Sequence, residues 1–225
     1  MSLINLGLIF VAGLDLGLAI LIYLLNPKNK ININLALSIF FLATWTLGVA
    51  MFREAKTESA AFIWTWVQNG SGSFVVVPFF LFSLYFPYQN RILEKWHKVL
   101  IVLSILIISI VVVVPGIWTK EIYLSPSKND YSLNFLGVFY FNLHFFGYLI
   151  LAFYNLVTKY IQNEGFIKKQ LFHMIIAAGI ISLFGGMLAA IIPLILLRSI
   201  GPYWIGPYFA VPTVIILLRF IYKKD

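Results

Sequence analysis

The sequence predicts an all-α integral membrane protein, a seven-transmembrane helix bundle with its N-terminus outside and its C-terminus cytoplasmic. Three observations predict it. Hydrophobic residues make up 61% of the chain and charged residues 11%, less than half of the roughly 25% usual in soluble domains. The apolar residues gather in runs close to the ~20 residues that a helix needs to cross a hydrocarbon core of about 30 Å. The lysines and arginines fall between those runs. Helices follow because a spanning segment must satisfy its own backbone polar groups.

The first run, Leu3–Leu25, carries one charge, Asp15. It has no basic leader and is too long for a cleavable signal peptide, so it is a span. The second is Ile33–Phe52. The third, Ala61–Pro87, is interrupted by QNGSGS (Gln68 to Ser73). A helix starting after the interruption is too short to span, which predicts one long helix with a small, polar face suited to close helix approach. The fourth is Val99–Ile117. The longest loop follows, Trp118 to Asn134, where SPSKND reads as a solvated turn. The fifth, sixth and seventh spans are Phe135–Val157, Leu171–Leu197 and Pro202–Tyr222. Gly185 and Gly186 mark a close helix crossing, and Trp118, Tyr203 and Trp204 read as interface-belt aromatics. No repeat or soluble domain is visible, so residues 1–225 form a single membrane module.

Eleven of the sixteen lysines and arginines fall on one side of this arrangement. They lie in the loops after spans one, three and five and at the C-terminal end. Positive charge stays inside, which places the N-terminus outside in the inner (plasma) membrane. The net charge of +8 is therefore a topology signal and no nucleic-acid surface. The chain has no cysteine, which excludes disulfides and thiolate chemistry. Its three histidines lie on separate segments, and no metal, nucleotide-binding or nucleophile-elbow motif appears. The residues thus predict no enzyme, no metal and no cofactor. Pro202 to Leu218 holds no lysine for a retinal Schiff base.

Depth follows from a rise of ~1.5 Å per residue. Asp15 lies about 18 Å from Leu3, near mid-membrane. Asn69, with Gln68 beside it, falls about 12 Å below the outer end of the third span, and Asn142 and His144 about 10 to 14 Å below that of the fifth. Trp45 and Tyr208 fall at about 10 Å. Tyr140, His144 and Tyr148, spaced i, i+4, share a helix face. An intramembrane carboxylate needs a partner, a proton or water. The expected partners of Asp15 are His144, Gln68, Asn69 or Tyr208. The functional reading is a ligand cavity open to the outside, lined by Asp15, Trp45, Gln68, Asn69, Tyr140, Asn142, His144 and Tyr208, with Trp64, Trp66, Tyr203 and Trp204 around it. The plainer reading has Asp15 protonated and hydrogen-bonded between helices.

Four segments carry a resemblance. NLALSIFFLATWTLGVAMF (Asn34 to Phe52) opens on an asparagine and holds a Trp45-x-x-Gly48 step. FFLFSLYFP (Phe79 to Pro87) ends in Phe-Pro. FIKKQLFHMIIAAGIISLFGGMLAAIIPLI (Phe166 to Ile195) has a basic, Gln-containing start and a late proline. GPYFAVPTVIILLRFIY (Gly206 to Tyr222) closes the set. In this order they resemble the seven-transmembrane N-terminal sensor region of bacterial histidine kinases, over roughly Ile33 to Tyr222. The resemblance implies a sensor of a small-molecule or membrane-borne signal. It also implies helix movement relayed to a cytoplasmic kinase or other output domain, and dimerisation. It supplies no binding residues, and Asp15 is outside its pattern. The expected partners are the lipid bilayer, a small-molecule or lipid ligand, the output domain and a second copy. The rival readings are a small proton-coupled transporter using Asp15 and His144, and a non-catalytic membrane scaffold.

Overall fold

The computed structural model describes residues 2–88, 93–125, 129–180 and 203–209, with positions 212 and 216. Expectations for Gly185 and Gly186, for the side chains of Tyr203 and Trp204, for the second half of the sixth run and for nearly all of the seventh beyond Phe209, lie outside the described residues. Within them, five spans are long and apolar enough to cross a membrane.

The first of these is α1, Leu3–Leu25, with the bounds that the apolar run predicts. Ser2 Oγ accepts the Asn5 N–H at its start, and Asn26–Pro27 ends it. α2 is Lys30–Glu54, capped by Asn29, whose side-chain oxygen accepts the Ile31 N–H at 2.8 Å. Such caps satisfy donors that have no partner within the helix. The third span is the expected long helix, Glu58–Tyr85, in two pieces: α3, Glu58–Phe74, and α4, Val76–Tyr85. They meet at Val75, whose φ of −50° and ψ of −42° remain helical. The seam has a cause in Pro78, which lacks the N–H that would bond the Phe74 carbonyl. Ser38 of α2 donates to the Val75 carbonyl there at 3.0 Å.

α5 is Lys95–Val113 and α6 is Phe135–Gln162. The described part of the sixth run belongs to α7, Gly165–Ile180. These helices start earlier or end later than the apolar runs because their terminal turns carry the lysines of the loops. Residues Tyr203–Phe209, expected to open an α-helical seventh span, form a 3₁₀ turn with Pro207 inside it. A proline there removes an α-type donor and favours the tighter winding.

One element departs from the all-α expectation. The long loop expected outside folds into an antiparallel hairpin, β1, Thr119–Tyr123, and β2, Asp130–Leu133. The pairing has an irregularity between Thr119 and Glu121. Trp118, expected in the interface belt, is 5% exposed and packs with Ile108, Val111, Val112 and Val138. The correction has a simple cause. The Asn134 N–H bonds the Trp118 carbonyl at 2.9 Å and the Asn134 side chain bonds the Gly116 carbonyl at 2.9 Å. The hairpin is thereby folded back over the helix ends, and its indole goes inward.

α1, α2 and α3 pack tightly at the hairpin end around Leu8, Val49, Phe52 and Ala61. Gly48 makes that approach possible, since a Cβ there would lie 2.8 Å from the Gln68 backbone nitrogen. At the opposite end α4, α6 and α7 meet around Phe82, Leu156 and Leu171. Little of α5 and α6 is buried among the described residues.

Candidate functional site

The polar residues that the depth argument selects are divided by the fold among three neighbourhoods, and two of these are joined. The first is a buried knot at the hairpin end. Gln68 and Asn69 sit one position apart on α3, and β2 brings Tyr131 between them. The Gln68 side-chain amide donates to the Tyr131 hydroxyl at 2.9 Å, and that hydroxyl donates to Asn69 Oδ1 at 3.2 Å. The Tyr131 ring meets Phe52 edge-on at 5.3 Å. Burial is the main cause that pushes the phenol up to about 12, against the smaller opposing effects of the Asn69 and Gln68 hydrogen bonds. Asn129 anchors the hairpin by donating to the carbonyls of Phe52 at 2.9 Å and Ala55 at 2.7 Å. Gln68 Oε1 and Asn69 Nδ2 are buried without a hydrogen-bond partner among the described residues.

The second neighbourhood is a cavity of about 730 Å³ between α5 and α6, backed by α4. Tyr140, His144 and Tyr148 all line it, as their common helix face predicts. His144 Nε2 donates to the Ser73 carbonyl at 3.2 Å. A carbonyl only accepts, so this bond sets the tautomer with the proton on Nε2. Ser104 Oγ gives its single proton to the Ile101 carbonyl at 2.8 Å, so the Tyr148 hydroxyl must donate to Ser104 across 2.6 Å.

One turn of α3 joins the two. Ser73 Oγ donates to the Asn69 carbonyl at 2.7 Å, and the Ser73 carbonyl receives His144. His144 in turn meets the Tyr148 ring edge-on at 5.0 Å. A continuous chain thus runs from Tyr131 through Asn69, Ser73, His144 and Tyr148 to Ser104, crossing from the hairpin to α3, α6 and α5.

Trp45 and Tyr208 form the third neighbourhood, against Val11 and Leu42. The Tyr208 hydroxyl donates to the Ile4 carbonyl at 2.9 Å. Asp15 lies one turn along α1 from Val11, fully buried. Neither of its carboxylate oxygens has a hydrogen-bond partner among the described residues. The four expected partners are engaged elsewhere: His144 with Ser73, Gln68 and Asn69 with Tyr131, and Tyr208 with Ile4. The physical reason is which helices meet. Depth alone brought these side chains level, but α1 packs chiefly against α2, and Tyr208 reaches it at Ile4, ~16 Å along the helix from Asp15. Asn142 bonds back to the Val138 carbonyl of its own helix at 2.8 Å. Trp64 packs at the hairpin-end core, and Trp66 meets Phe62.

Two participants escape the sequence reading. Tyr131 lies in the long outer loop, just after the SPSKND turn, and is not among the residues that depth selects. Lys159 counted only as a topology charge, yet its ammonium donates to the carbonyls of Ser83 at 2.7 Å, Leu84 at 2.8 Å and Phe86. It caps the C-terminal end of α4 from α6, where helix carbonyls lack partners. The signal available for it was Phe86-Pro87, which must stop a helix and expose its last carbonyls.

A family model described as the N-terminal 7TM region of histidine kinase matches residues 8–224. No curated protein matches the chain. The matched stretch corresponds to the membrane region of such kinases, which is a sensory and non-catalytic part, and includes no kinase domain.

Proposed function

The chain belongs to the family of N-terminal seven-transmembrane regions of histidine kinases, and from that premise we propose that it senses a small-molecule or membrane-borne signal and relays it by helix movement to a cytoplasmic output such as a kinase core. The family match over residues 8–224 carries this reading. The chain from Tyr131 to Ser104 supports it, because it gives the hairpin end a continuous physical link to α5 and α6. Lys159 supports it at the other end, because it makes α4 and α6 move together. A signal acts by favouring one of two helix packings, and only to the extent of its differential affinity for them. In this proposal the N-terminus is outside, all seven spans cross the plasma membrane, the C-terminus is cytoplasmic and the module works as a dimer.

The test joins a histidine kinase core in frame after Asp225 and measures autophosphorylation in membrane vesicles. Asn69→Leu and His144→Leu, which break the chain at two points, are expected to change the basal rate or its response by at least threefold. The same rate in both variants and the parent refutes the relay. The absence of native cysteine makes topology directly measurable. A single cysteine at Ser2 should react with an impermeant thiol reagent on intact cells, and one at Asp225 only after lysis. The reverse pattern refutes the orientation.

A further inference from the structure

We infer that the groove between α5 and α6 is a lipid site, holding one acyl chain of an anionic phospholipid that enters sideways from the bilayer. Three observations carry it. The first is size. The groove holds about 730 Å³ and follows α5 from His97 to Ile108, ~17 Å at ~1.5 Å per residue. Half of a hydrocarbon core of about 30 Å is ~15 Å, so the groove matches one leaflet. The second is where it opens. Leu100 and Leu143 on its lips are 54% and 61% exposed and lie on membrane-spanning helices, so its mouth faces hydrocarbon. Its middle is hollow at Gly147, where an added Cβ meets no atom within 4 Å.

The third observation is the polarity of its two ends. Toward the middle of the wall the polar groups are engaged within the protein, His144 with Ser73 and Tyr148 with Ser104, while Tyr140 and Tyr154 add phenols nearer its two ends. The side chains of His144 and Tyr148 therefore add no free donor to the middle of the wall. At the start of α5 the chemistry changes. His97 lines the groove with a buried Nδ1 that has no hydrogen-bond partner among the described residues. Trp96 stacks on its ring at 3.5 Å, and Lys95 and Lys98 stand exposed on the same turn. The nearby Glu94 carboxylate is taken by the Trp96 indole N–H. An apolar trough with two lysines exposed on the turn of α5 that bounds one end fits an amphiphile with a negative head, and juxtamembrane lysines attract such lipids. The groove shares His144 and Tyr148 with the proposed relay, but its test reads occupancy and not signalling, so the two can fail separately.

The experiment reconstitutes the full chain in nanodiscs containing a trace of phosphatidylglycerol with a mid-chain diazirine, then maps photolabelled peptides. Label is expected to concentrate on the groove-lining turns of α5 and α6. Gly147→Phe, which sets a ring into the hollow from a position open to a Cβ, should cut that label at least fivefold, and Gly147→Ala should keep it. A phosphatidylcholine probe should label the groove at least threefold less, and Lys95→Gln with Lys98→Gln should abolish the difference. Label spread evenly over every lipid-facing helix overturns the site, as does groove label unchanged by Gly147→Phe. Crosslinks from a second copy seated in the groove overturn it too. Equal labelling by the two lipids overturns the anionic assignment. Should Gly147→Phe lower the melting temperature, Leu143→Trp on the exposed lip replaces it with the same expected loss.

Discussion

Replacing Tyr131 with phenylalanine removes one oxygen and, with it, both hydrogen bonds of the knot at the hairpin end. The ring stays, so its edge-on contact with Phe52 at 5.3 Å and its place in the core around Leu8 and Ala61 are kept. What is lost is the acceptor for the Gln68 amide and the donor to Asn69 Oδ1. Both side chains are buried, and leaving a buried polar atom unpaired costs about 1–3 kcal/mol. Two such atoms give about 2–6 kcal/mol. Polar pairs between lipid-embedded helices average only ~0.6 kcal/mol, because the separated helices find substitutes. Tyr131 comes from a hairpin outside the spans, where unfolding returns it to water, so the larger figure applies. The assay is equilibrium unfolding in mixed micelles of rising sodium dodecyl sulfate fraction, followed by helicity. A second arm removes the stranded partners as well. In a Gln68→Leu, Asn69→Leu background the same Tyr131→Phe change should cost less than about 1 kcal/mol, since nothing is left unpaired. A loss under about 0.5 kcal/mol in the parent, or an equal loss in both backgrounds, refutes the argument.

The same phenol predicts an alkaline signature. Its value near 12 when folded lies above the ordinary 10 of the unfolded chain, so above pH 10 the unfolded state sheds a proton that the folded state keeps. Stability present below pH 10 is therefore lost by about 1 kcal/mol per pH unit between 10 and 12, and the difference curve between the parent and Tyr131→Phe should show that slope. Gly48→Val should cost about 3 kcal/mol or prevent folding, because its side chain meets the α3 backbone at Gln68; a thermal melt unchanged within 1 °C refutes it. Lys159→Met strands the Ser83, Leu84 and Phe86 carbonyls and should cost about 2–3 kcal/mol. Faster hydrogen exchange should be confined to the adjoining ends of α4 and α6, and protection unchanged there counts against the cap.

What the sequence discloses and what it hides divide along physical lines. The bounds of α1 were legible because Ser2 and Asn26–Pro27 punctuate an otherwise unbroken apolar run. The long third span was legible because no shorter helix could cross. Spacing also put Tyr140, His144 and Tyr148 on one face, and all three line the same cavity. The hairpin was hidden because TKEIY and DYSL are short and mostly polar, and their pairing depends on the helix ends beneath them. Depth could be read from the chain and the adjacency of the helices could not, which is why Gln68, Asn69 and His144 fall on one chain of contacts while Asp15 stands apart. Lys159 shows the same limit: one lysine reads equally well as a topology charge and as a helix cap until its neighbour is known.

The hairpin is fastened at several points: to α2 through Asn129, to α3 through Tyr131, and to α6 through Trp118, whose ring lies 4.8 Å from Phe141. A clasp of that kind turns helix motion into leverage. With one end held as a fulcrum, the helices cannot slide past one another there, and their remaining freedom is to swing. α6 has 28 residues, an arm ~42 Å long, so a tilt of about 5° at the clasp carries its far tip about 4 Å. Lys159 couples α4 to that tip. Under the proposed sensor reading, small rearrangements beneath the hairpin would arrive magnified at the far end of α6, as a short turn of a key moves a long bolt.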